Sequence, residues 1–127
     1  MSNYKKLLLE RIIQNAKNVN RISDLTKNHA VVKHLIPQLV RSGSASCLIY
    51  SEALSAESFK DLIHKLSLVE KELRETKTNL ELILSLSLTP TVMNNVLNVF
   101  KETDELIAIM NTSLYTLRKQ KRNKPGK

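Results

Sequence analysis

Apolar residues recur at steps of three and four along most of this chain, and that spacing predicts helices rather than strands. Leu8, Ile12, Ala16 (with Val19) and Ile22 fall on one face of a first helix from about Asn3 to Thr26, which Leu9 and Ile13 widen. The pattern then lapses. Lys27-Asn28 reads as a helix end, and Ala30, Val31 and Val32 are contiguous without helical spacing. Pro37 lacks an amide hydrogen and costs about 3 kcal/mol inside a helix, but it suits a first helical position. The second helix is therefore placed from Pro37 to about Leu54, with Leu39, Val40, Gly43, Cys47, Tyr50 and Leu54 on its buried face. The small residues Ser42 to Ser46 would let a neighbouring helix approach closely.

The third helix has the clearest pattern. Ser58-Phe59-Lys60-Asp61 fits a capping box, in which the Ser58 hydroxyl accepts from the amide three residues on and Asp61 reaches back. Phe59, Leu66, Leu73 and Leu80 follow at seven-residue steps, with Leu62, Val69, Thr76 and Ile83 as a second seam, the a/d arrangement of bundles. Lys71, Glu72, Arg74, Glu75 and Lys77 lie on its other faces and read as a solvated surface. Thr89-Pro90 stops this helix and starts a fourth, which runs to about Arg118.

The fourth helix carries three apolar seams: Val92, Val99 and Leu106; Val96, Met110 and Leu117; and Met93, Phe100, Ile107 and Leu114. Leu82, Leu84, Leu86 and Leu88 crowd the end of the third helix. One core does not need so wide an arc. Either the fourth helix is the most buried of the four, or its surplus marks an interface between copies. The interface reading names Leu84, Leu86, Leu88, Met93, Phe100, Ile107 and Leu114. The expected fold is all-α: an antiparallel, up-down four-helix bundle over 1–118 that oligomerises, followed by a basic tail over 119–127 that frays.

Composition supports that picture. The chain has 127 residues with only two Gly and three Pro, too few for a turn-rich β fold. The longest apolar run, Leu106 to Met110, is far short of the roughly 20 residues a membrane span needs. Glu10 and Arg11 interrupt any signal-peptide core, and the single Cys47 allows no internal disulfide. A cytoplasmic protein without membrane partners is expected.

Charge adds one functional clue. The formal charge is +8, and it is uneven. The first fifty residues hold eight Lys and Arg against two acids, residues 51–117 hold six against ten, and the last ten hold six cations and no acid. A polyanion partner, or basic and acidic surfaces of one fold facing each other, would explain the asymmetry equally well. The candidate nucleic-acid contacts are Lys5, Lys6 and Arg11 near the start, and Arg118, Lys119, Lys121, Arg122, Lys124 and Lys127 at the end. With no aromatic in the tail to stack bases, RNA or DNA would be held by its backbone without sequence preference. The alternative is a tail that only keeps the protein in solution.

No catalytic chemistry is legible. His29, His34 and His64 lack metal-ligand spacing. Cys47 has no His placed to act as its base, and Gly43 and Gly126 are isolated, so there is no phosphate loop. Glu52 lies among small and apolar residues and is expected to pair with Arg41 or Arg74. No enzyme activity, metal or cofactor is expected.

Several phrases resemble a known bacterial family, the four helix bundle proteins encoded in intervening sequences of 23S rRNA genes. They are Gln38-Leu39-Val40-Arg41-Ser42-Gly43-Ser44, Tyr50-Ser51-Glu52-Ala53, Ala56-Glu57-Ser58, Asp61-Leu62-Ile63-His64-Lys65-Leu66-Ser67 and Lys71-Glu72-Leu73-Arg74-Glu75-Thr76. Ser46-Cys47-Leu48-Ile49 and Thr78-Asn79 depart from the family pattern. The resemblance implies an up-down bundle, assembly into a ring-like homopentamer, and no enzyme activity. A related branch of that family serves retroelements as an accessory protein that binds the reverse transcriptase and nucleic acid. A reverse transcriptase is therefore a second possible partner, with the chain acting as an interaction scaffold.

Overall fold

The computed structural model describes residues 3–123. Among them the chain forms four helices and no strand: α1 (Asn3–Thr26), α2 (Val32–Ala53), α3 (Phe59–Leu84) and α4 (Pro90–Arg122). The fold is all-α and consistent with a four-helix bundle. Each helix packs on the next in sequence, and α1 also packs on α4. The α2–α3 and α3–α4 seams are the most extensive, and the α1–α4 seam is the thinnest.

The Ser58 and Thr89 caps form, whereas the Asp61 carboxylate lies 4.0 Å from Lys65 rather than reaching back to the Ser58 amide. The Ser58 hydroxyl accepts from the Asp61 amide at 3.1 Å, and Thr89 Oγ1 accepts from the Val92 amide at 3.4 Å with Pro90 opening α4. Each satisfies an amide that the helix itself leaves without a partner. Ser58→Ala is expected to lower stability by about 1 kcal/mol, read from the midpoint of a urea titration with an unchanged slope.

Two helix boundaries differ from the sequence reading. α2 begins at Val32, five residues before Pro37, so the proline lies inside the helix. Burial explains this. Val32 is fully buried, and Leu35 and Ile36 pack on the same core as Leu39. His29 aids the start, because its Nδ1 accepts from the Val31 and Val32 amides, both at 3.2 Å. α4 continues past Arg118 to Arg122. Lys119, Lys121 and Arg122 are good helix formers, and their charge suits the negative end of the helix dipole. The expected fraying from 119 onward is not seen through 122, and 124–127 lie outside the described residues.

The core has two aliphatic compartments. One holds Leu8, Ile12, Tyr50, Leu66, Val69, Leu73, Leu106 and Met110. The other holds Val19, Ile22, Val32, Leu39, Leu80, Ile83, Val96 and Val99. Between them in every helix stands a buried polar residue: Asn15, Ser42 with Ser46, Thr76 and Thr103. These pair across seams. Asn15 Nδ2 donates to Thr103 Oγ1 at 2.9 Å, and the Ser42 and Thr76 hydroxyls are 2.7 Å apart. Gly43 lies beside this layer, with Val19 close enough that an added Cβ would meet it at 3.6 Å.

Ion pairs tie the outer surfaces. Arg41 binds Glu72 and Glu75 across the α2–α3 seam. Lys77 reaches Asp104 at 2.7 Å and lies over the Phe100 ring. The charged face of α3 is thus partly consumed in cross-helix pairs rather than left to solvent. Glu52 pairs with Lys65 at 3.4 Å, and Arg74 with Glu70 at 3.7 Å. Glu52 is exposed, so the expected internal pairing with Arg41 or Arg74 does not form.

Candidate nucleic-acid interface

Packing of α1 on α4 brings the two basic segments together. Lys5 lines one cavity with Thr116, Leu117 and Gln120, and it also borders the α2–α3 connection near Glu57 and Phe59. Lys6 follows it on α1, and Lys119 and Lys121 flank Gln120 on α4. The first turn of α1 holds no acid, and the last turn of α4 holds Lys119, Lys121 and Arg122. Lys6, Lys119 and Arg122 are exposed, and Lys121 is half-buried. None of these four takes part in an ion pair among the described residues. Arg118 turns toward α3, where Nη2 donates to Ser67 Oγ at 3.2 Å. Lys124 and Lys127 lie outside the described residues.

Arg11 does not belong with this group. Its Nε and Nη2 donate to Glu102 at 3.0 and 2.6 Å, and Nη2 also lies 3.0 Å from Glu105. The hydrogen bond to Glu102 does most to hold the guanidinium protonated, with Glu105 adding to it. Two carboxylates around one cation leave the locality net negative, which is unsuited to phosphate. Arg11 instead fastens the thin α1–α4 seam.

The proposed interface residues are also corrected in part. Ile107 and Leu114 are 4% and 2% exposed, buried in this chain's own core. Leu84, Leu86, Leu88 and Phe100 are half-buried and pack against the second compartment, and Met93 is half-buried. The wide apolar arc of α4 is largely used within one chain, because α1 and α3 cover opposite sides of it. The large apolar side chains that do face solvent include Tyr4, Leu7, Leu48, Leu82 and Tyr115. Sequence reasoning noted Leu82 but passed over Tyr4, Leu7, Leu48 and Tyr115 because they stand off the repeating seams.

No group of three or more His, Cys, Asp or Glu is placed to hold a metal ion among the described residues. Burial pushes the Cys47 thiol up, and its Sγ donates to the Ile12 carbonyl at 3.3 Å, so it is a poor nucleophile. No described helix is long and apolar enough to cross a membrane.

No protein-family model matches the chain. No curated protein matches it either. Among solved structures, the chain is similar to a protein of unknown function from the S23 ribosomal protein family of Bacteroides thetaiotaomicron VPI-5482, determined at 1.70 Å. The TM-score is 0.70 at 23% identity, over 84% of this chain and 97% of the other. At that identity the likeness establishes a shared fold, the four-helix all-α fold described above.

Proposed function

We propose that this protein is a non-enzymatic, self-assembling bundle of antiparallel, up-down helices that binds nucleic-acid backbone through one basic end. The observation that carries this reading is that Lys5, next to Lys6 on α1, lines the same cavity as Gln120, which lies in the basic last turn of α4. Cations held near one another on helix ends suit a polyanion. Assembly into a homo-oligomer, a pentamer by the family resemblance, would present several such ends and add avidity. The exposed Tyr4, Leu7, Leu48 and Tyr115 supply apolar surface for it.

Backbone binding of this kind is expected to fall steeply with salt. Five phosphate contacts give a log–log slope of about −4.5, so affinity should drop roughly 500-fold between about 50 and 200 mM salt. Fluorescence anisotropy with a 20-mer duplex and a 20-mer single-stranded RNA reads this directly. Lys6→Glu combined with Lys119→Glu, Lys121→Glu and Arg122→Glu should abolish binding, and Arg11→Ala should leave it near the wild-type value. No binding at the lower salt, or binding that the four-fold variant retains, would remove the proposal. Light scattering on the same samples tests assembly, and a monomer at tens of micromolar would count against it.

A further inference from the structure

One residue supplies most of the acceptors that start α2. The first amides of a helix have no partner within it. Val31, at the cap position, offers α2 no side-chain bond. His29 takes that part. Its Nδ1 accepts from the Val31 and Val32 amides, both at 3.2 Å, and its carbonyl accepts from the Lys33 amide at 3.1 Å. The Val31 carbonyl accepts from the His34 amide at 3.1 Å and completes the set.

The same turn is weakly joined to the helix that follows it. Pro37 has no amide hydrogen, so the Lys33 carbonyl finds no donor four residues on. Residues 32–36 are held instead by His29 at their start and by packing of Val32, Leu35 and Ile36 on the second compartment. A segment with few backbone bonds is the kind that opens locally.

The acceptor that starts the turn is titratable. A neutral imidazole with its proton on Nε2 offers Nδ1 as an acceptor, whereas an imidazolium is protonated on both nitrogens and offers none. Protonation also sets a positive charge at the positive end of the α2 dipole. The ionisable residues on the elements at this end are Asp24 and Lys27 on α1 and its end, Lys33 and His34 on α2, and Glu81 on α3. None forms an ion pair with His29 among the described residues. Residues 82–100, which span the α3–α4 connection and the start of α4, contain no ionisable side chain.

We propose that the first turn of α2 is a proton-sensitive element. Protonation of His29 strips the Val31 and Val32 amides of their acceptor and releases residues 32–36 from the core. The bonded form is the neutral one, so the turn is closed at neutral pH and opens on acidification. The inference goes beyond nucleic-acid binding and does not depend on it.

Hydrogen exchange followed by NMR on the full chain, corrected for intrinsic rates, reads the opening at the Leu35 and Ile36 amides. Between about pH 8 and pH 5, where histidines change charge, their protection should fall roughly tenfold for the loss of two hydrogen bonds. His29→Asn places an amide oxygen where Nδ1 stood and does not titrate, so protection should stay high at both pH values. His29→Leu removes the acceptor and should show the low value at both. His34→Asn changes the neighbouring exposed histidine and should keep the wild-type fall. Equal protection at the two pH values in the wild type, a fall that persists in His29→Asn, or a fall that disappears in His34→Asn would overturn the proposal.

Discussion

Replacing Leu106 with alanine is expected to cost about 3 kcal/mol, within the roughly 2–5 kcal/mol range for buried leucines. Leu106 is fully buried in the compartment that includes Val69, Leu73 and Met110. Truncation removes its burial and leaves a void that helices on several sides cannot close together. A domain of this size is stable by about 5–15 kcal/mol, so the loss is a large fraction of the total. It corresponds to a fall in Tm of roughly 10 °C. Chemical denaturation should show a lower midpoint. Leu48→Ala is the control: Leu48 is 66% exposed, so its truncation should change stability by under about 0.5 kcal/mol. A Leu106→Ala loss no greater than that of Leu48→Ala would mean that α4 is not packed as described.

Pro37→Ala should act in the opposite direction, raising stability by about 2 kcal/mol. Pro37 is the sixth residue of α2, where a regular helix would bond its amide to the Lys33 carbonyl. Proline has no such hydrogen, and its ring crowds that carbonyl, at a cost of about 3 kcal/mol. It recovers about 1 kcal/mol by restricting the unfolded chain. The side chain is exposed, so alanine gives up little packing there. Hydrogen exchange offers a second measure, because amides near the start of α2 should slow in the variant. A variant no more stable than the wild type would place the true start of the helix at Pro37.

That proline also shows where sequence reading reached its limit. Taken alone, Pro37 marks a beginning, and Ala30-Val31-Val32 carries no helical period. Only tertiary burial of Val32, Leu35 and Ile36 outweighs the local penalty. The His29 contact to two amides was equally hidden, because histidine is an unusual cap and the contact depends on the turn before α2. Heptads in α3 were legible because Leu66, Leu73 and Leu80 form one uninterrupted stripe, and all three are buried.

The site was legible to a lesser degree. Runs of like charge are visible in a sequence, so Lys5, Lys6 and the end of α4 could be named. Their nearness depends on how α1 meets α4. Arg11 was misgrouped because Glu102 and Glu105 are some ninety positions away and meet it only on folding. Ile107 and Leu114 were assigned outward because seam width along one helix does not reveal how many neighbours cover it.

The hydroxyl-and-amide girdle across the middle of the molecule has a consequence for loyalty between helices. Were α4 to slip by one turn against α1, Thr103 would slide away from Asn15 and into greasy surroundings, and both groups would lose their mates. Ser42 and Thr76 penalise the same slip between α2 and α3. A wholly aliphatic middle would hold more tightly yet tolerate misaligned or exchanged helices between neighbouring copies. The girdle trades some cohesion for a single way of fitting together.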